Sequence, residues 1–145
     1  MREDGLAQRV GYLPPAMIGE PTLKAILLFV GAYHLVTGML ALFAPGTFFD
    51  EIGRYGAENL HYVGDVGAFT TAAGIGLLVA AYRPSWRVPI LWVGAAWYWL
   101  HALNHAFDTD EARSQARGIA DTVLLALGGF GAAYLARVSE RLEAR

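Results

Sequence analysis

The chain has no cysteine. Disulfides, thiolate metal ligands and thiol redox chemistry are therefore excluded. Charge is also scarce: 17% of the 145 residues are Asp, Glu, Lys or Arg, against about a quarter in an ordinary soluble domain. The few charges nearly cancel, to a formal net charge of −2, so there is no basic excess to argue for a nucleic-acid partner. The missing charge is missing in blocks. No charged side chain occurs at 25–49, 66–82, 88–107 or 122–136. A soluble helix shows charge along its outer face, whereas a bilayer span needs roughly 20 predominantly apolar residues. Four such blocks, in a chain that is 55% hydrophobic, predict an integral membrane protein whose first partner is the lipid bilayer.

The N-terminus has no short apolar run followed by a small-residue cleavage site. Instead, TLKAILLFVGAYHLVTGMLALFA is too long for a cleaved signal and reads as the first span. Residues 1–21 read as a polar tail containing Gly and Pro. Spans are expected at about 22–44, 59–82, 87–107 and 117–136, so the bundle covers 22–137 and a charged tail covers 138–145. The first span should stop at Pro45 and Gly46, a pair that favours a turn, followed by the loop GTFFDEIGRYGAE. Glu58 or Asn59 should cap the second span. Arg83 and Pro84 end it, and Pro89 is tolerated in the first turn of the third.

Small residues recur every four positions in the second span (Gly64, Ala68, Ala72, Gly76, Ala80) and in the fourth (Gly128, Ala132, Ala136). Such stripes let membrane helices approach closely. They predict an all-α, up-down-up-down four-helix bundle, and they also offer a surface for a homo-oligomer. Of the 11 Lys and Arg residues, eight lie in the N-tail, the second loop and the C-tail. Arg54, Arg113 and Arg117 lie in the first and third loops. By the excess of positive charge on the cytoplasmic side, both termini should be cytoplasmic, in a cell inner (plasma) membrane.

That topology places the polar residues. His61 and Asp65 in the second span, His101 and His105 in the third, and Asp121 in the fourth all fall near the outer end; His34 lies past the middle of the first span in the same direction. His101 and His105 are four apart, hence neighbours on one helix face, with Asn104 on the same side and Trp97 one turn below. Ionisable groups inside a membrane are costly unless they pair, bind an ion or line a wet cavity. The convergence predicts one site. Imidazole and carboxylate together suit Zn, Fe, Mn or Cu, so the leading expectation is a single transition metal held by His61, Asp65, His101 and His105. His34, Asn104 and Asp121 would orient those ligands or add to them, with Glu58, Tyr62, Trp97 and Asp108 around the pocket. Such a centre could serve redox or hydrolytic chemistry on a lipid-soluble small molecule or quinone entering between spans.

Two other readings use the same residues. His61 with His101 or His105 could be axial ligands of a b-type haem, making the chain an electron carrier. Alternatively the chain is a non-catalytic membrane subunit or scaffold with a hydrogen-bonded polar network. Each residue also has an ordinary explanation. Tyr62 is then an aromatic-belt anchor, Asp121 favours its helix N-terminus and pairs with Arg117, and His105 and Asp108 are solvated. His34 by itself is a core histidine bonded to a Tyr or Thr.

The stretch GAYHLVTGMLALFAPGTFF, a glycine-punctuated span ending in Pro-Gly, is similar to the opening of the DoxX-like group of small four-span bacterial membrane proteins. The resemblance covers span lengths and layout over most of the chain. It implies a bacterial inner-membrane location, in a group that includes members tied to quinone- or thiosulfate-linked oxidation. It carries over no catalytic residue.

Overall fold

A computed structural model describes residues 18–144; residues 1–17, with the Arg2 and Arg9 of the expected tail, lie outside the described residues. All regular structure among the described residues is helical: α1 (Glu20–Phe43), α2 (Pro45–Glu51), α3 (Leu60–Tyr82), a 3₁₀ turn (Pro84–Trp86), α4 (Arg87–Phe107) and α5 (Gln115–Glu143). Three of them, α1, α3 and α5, are long and apolar enough to cross a membrane. At 21 residues α4 has the length, but His101, Asn104 and His105 in its last two turns keep it below that apolar level.

Helix ends follow the local chemistry. Asn59 caps α3, its side-chain oxygen accepting from the Tyr62 N–H at 3.1 Å, and Ser114 caps α5 through the Arg117 N–H. Both satisfy donors that a helix start leaves unpaired. Two boundaries differ from the sequence reading. Pro45 does end α1, but Pro45 also opens α2, because a residue with fixed φ and no N–H fits the first helical position. At the other end, α5 continues to Glu143 where a tail was expected from 138. No breaker intervenes, Ser139 returns its hydroxyl to the Leu135 carbonyl at 2.9 Å, and Val138 and Ser139 are fully buried.

The long helices pack as two close pairs. In the first, Gly38 lies by Thr71, Leu42 by Gly67 and Leu35 by Gly74, so α1 and α3 run antiparallel. The approach is backbone to backbone: a Cβ on Gly67 would stand 2.5 Å from the Leu42 nitrogen, and one on Gly74 2.5 Å from the Leu35 nitrogen. Gly67 and Gly74 are thus the face of α3 that meets α1; of the expected stripe, Gly76 and Ala80 are buried, Gly76 against Ile90 of α4. Gly64 has nothing near its missing side chain, and Ala68 and Ala72 are exposed. In the second pair the Tyr98 and Trp99 rings of α4 cover Gly128 and Gly129 of α5, and the Trp92 indole N–H donates to Glu140 at 3.1 Å. Here the expected stripe on α5 does serve packing.

The core is concentrated at one end of the molecule. Leu23, Leu27, Leu77, Ala80, Ala81, Leu91, Ala136 and Val138 form it, where the start of α1 and the end of α3 meet the start of α4 and the end of α5. Arg87, only 3% exposed, locks that end. It holds both Glu20 carboxylate oxygens at 2.7 and 2.8 Å and donates Nε–H to the Ala80 carbonyl at 3.1 Å, near the C-terminus of α3 where carbonyls lack helical partners. The sequence shows Arg87 only as one more basic residue at a loop.

Candidate functional site

At the end opposite this core, the residues expected to form one metal site are divided among three places. His61 and Asp65 pair with each other at 3.6 Å on the surface of α3, with side chains 91% and 67% exposed. They lie round the helix from Gly67 and Gly74, and those glycines decide which side of α3 faces α1. Glu58, Tyr62 and Asn104 are also exposed.

His101 and His105 stay together, their Nε2 atoms 2.9 Å apart. Trp97 lies beneath His101, ring centres 4.9 Å apart, and Tyr55 lies edge-on to His105 at 4.3 Å. The two Nδ1 atoms are buried without a hydrogen-bond partner among the described residues. Asp121 belongs to a third group. Its carboxylate accepts from Arg117 at 2.9 Å and from the Tyr55 hydroxyl at 3.2 Å. Asp108 caps α4, and its backbone carbonyl accepts from the Glu111 N–H at 3.1 Å. Among the described residues no three His, Cys, Asp or Glu side chains come close enough to hold a metal ion. The His61 partner that a bis-histidine haem would need faces away from the bundle.

Tyr55 was not singled out from sequence, yet it ties the two loops at this end together. Its backbone pairs with Ala112 in an isolated bridge, Gly56 donates to the Glu111 carbonyl at 3.1 Å, and Arg113 donates to the Asp50 carbonyl. Burial, then the neighbouring Asp121 charge, push the Tyr55 phenol up to about 12. A group with a raised folded pKa contributes stability that is present below its ordinary value of about 10 and is lost as pH rises through the folded value. The Tyr55–Asp121 bond should therefore persist to about pH 10 and fail near 12. Ultraviolet difference titration of the wild type against Tyr55→Phe checks this; a difference curve centred near pH 10 would refute it.

A concave space lies between the two helix pairs. It is a cavity of about 470 Å³, within the range of small-molecule sites. All four long helices contribute: Ile26, Leu27, Val30 and His34 from α1, Phe69, Ala73 and Leu77 from α3, Leu91, Gly94, Trp97 and Tyr98 from α4, and Gly128, Ala132 and Leu135 from α5. The close pairs leave room between them because small residues draw partners together within each pair, while Phe69, Trp97 and Tyr98 stand between the pairs. Phe69 and Trp97 meet across the gap, ring centres 5.4 Å apart.

His34 and Tyr98 supply a hydrogen-bonded polar pair in this apolar wall. The Tyr98 oxygen is 2.8 Å from His34 Nε2, and His34 Nδ1 is 2.8 Å from the Val30 carbonyl. His34 is 5% exposed. It is the core histidine bonded to a tyrosine that its position allowed, apart from the His101–His105 pair. The sequence signal for Tyr98 was its place among the α4 aromatics; its partner on α1 could be seen only once α1 and α4 were set side by side. Comparison of the chain with protein-family models, curated proteins and solved structures gives no match in any of the three.

Proposed function

We propose that the chain is a four-span, up-down-up-down membrane bundle that binds a lipid-soluble small molecule between its two helix pairs. The orientation that accompanies this reading has both termini on the cytoplasmic side of a bacterial inner membrane, following the distribution of Lys and Arg. One observation carries the reading: a 470 Å³ apolar cavity with one hydrogen-bonded polar pair, His34 and Tyr98, in its wall. An unspecialised membrane core fills with side chains to high packing density, and a lone polar pair beside a void fixes the orientation of a ligand. On α4 the cavity is lined by Leu91, Gly94, Trp97 and Tyr98. These inward groups are then covered by the bundle, as intramembrane polar residues require.

A second reading keeps a metal at the outer end. Two imidazoles on one tetrahedral ion at ~2.0–2.1 Å place their nitrogens ~3.3 Å apart, and the His101 and His105 Nε2 atoms already stand 2.9 Å apart. Any further donors would come from Asp121, released from Arg117, or from water, since His61 and Asp65 face outward.

One preparation tests both readings. The protein is purified in mild detergent, its bound organic molecules are identified by native mass spectrometry, and its metals are quantified. A co-purifying apolar molecule supports the cavity reading. Near-stoichiometric zinc, iron, manganese or copper that disappears in His101→Ala supports the second. A preparation that carries neither, and takes up neither when they are supplied, refutes both.

A further inference from the structure

We infer that the molecule in the cavity is an apolar alcohol, a compound with one hydroxyl donor on a body of about fifteen heavy atoms. The inference rests on the ligand-binding reading above and follows from hydrogen-bond bookkeeping. The Val30 carbonyl can only accept, so His34 Nδ1, 2.8 Å away, carries a proton. Among the described residues, neither Asp nor Glu lines the cavity. A neutral imidazole carries one ring proton, which the Val30 carbonyl places on Nδ1, so Nε2 holds a lone pair. The Tyr98 hydroxyl, 2.8 Å from Nε2, therefore donates its single proton to His34.

The consequence falls on the Tyr98 oxygen. Its proton is used, and only acceptor capacity remains. A ligand whose polar end meets this oxygen must bring a donor. A ketone, aldehyde or ether would place two acceptors against each other and leave both unpaired in an apolar space, which buried polar sites reject strongly. The remaining wall, with Leu27, Phe69, Leu91 and Leu135, fits a hydrocarbon body. At ~30 Å³ per water-sized group, 470 Å³ holds roughly fifteen heavy atoms, the size of a sesquiterpene-like alcohol.

The test compares three molecules that share one body: farnesol, farnesal and farnesyl methyl ether. Binding is measured to the full chain in phosphatidylcholine nanodiscs. Farnesol should bind about tenfold more tightly than the other two. The two partners of the polar pair then separate the mechanism. Tyr98→Phe should remove the preference by weakening farnesol to the level of the ether. His34→Leu frees the phenolic proton, so it should remove the preference by the opposite route, tightening the aldehyde and ether while farnesol holds.

Equal binding of all three to the wild type, lost in the cavity-filling variant Gly94→Leu, would overturn the donor requirement and leave the cavity reading standing. Tighter binding of the aldehyde would also overturn it, by showing that a charged His34 or the Trp97 N–H is the anchor. Binding of none of the three would refute this inference and, if no other apolar molecule co-purifies, the cavity reading with it. The wild-type comparison needs no variant, so a misfolded variant does not rescue the idea.

Discussion

Gly74→Leu should separate α1 from α3 and cost the protein most of its stability. A Cβ at this position would lie 2.5 Å from the Leu35 nitrogen and 2.9 Å from both the Gly31 carbonyl oxygen and the Leu35 Cα. Overpacked cores ordinarily lose about 1–3 kcal/mol because neighbouring side chains can turn aside. Here the neighbours are backbone atoms of a facing helix, so the whole helix must retreat, and the loss should be at least ~3 kcal/mol against a typical total of ~5–15 kcal/mol. Circular dichroism melting in detergent should show the midpoint lowered by about 10 °C or more. The control is Gly64→Leu, three turns earlier on the same helix, where the added side chain has open space. It should stay within about 0.5 kcal/mol of the wild type. Equal melting of the two variants would show that the close approach of α1 and α3 is not what holds the fold.

The second large effect is on binding. Gly94 lines the cavity on the α4 stripe that also carries Leu91, Trp97 and Tyr98, and a Cβ there meets nothing within 4 Å. Gly94→Leu should therefore fill the space without disturbing a helix contact. Binding of the apolar ligand should fall by more than about 100-fold, roughly 2.7 kcal/mol, because the leucine occupies the volume the ligand needs. Stability should be unchanged or slightly raised, since filling a void restores lost packing. The same purified sample, measured by melting and by native mass spectrometry, gives both numbers. Undiminished ligand binding in a folded Gly94→Leu protein would place the site elsewhere.

Several features were legible in the sequence because they depend on neighbours along the chain. The four charge-free blocks became the four long helices. Helix α4, Arg87–Phe107, falls where a span at about 87–107 was expected, and Asn59, one of two residues expected to cap the second span, does cap α3. The i,i+4 spacing that put His101 beside His105 is likewise a property of one helix, and it holds at 2.9 Å. Arg117 and Asp121, also four apart, pair in the same way.

The expected four-ligand cluster failed where the argument passed from depth to direction. His61, Asp65, His101 and His105 do share one end of the molecule, as their places near the ends of their spans implied. Membrane depth, however, says nothing of rotation about a helix axis. The rotation of α3 is set by Gly67 and Gly74 against the backbone of α1, and that turns His61 and Asp65 outward. Nothing in the local pattern marked those two glycines above the equally spaced Gly64, Ala68, Ala72 and Gly76. The helical continuation of α5 was missed for a related reason: the charged run after 136 reads as tail until Val138 is found buried against the core.

Residue order alone thus determined that this chain is helical, apolar over four segments, free of thiol chemistry and polar toward one end of those segments. Those properties depend on composition and on spacings of a few residues. Only the tertiary structure decided which histidine meets which partner. His34 and Tyr98 are 64 residues apart, and they meet because backbone-tight pairing within α1–α3 and α4–α5 leaves a gap between the pairs, with these two side chains in its wall.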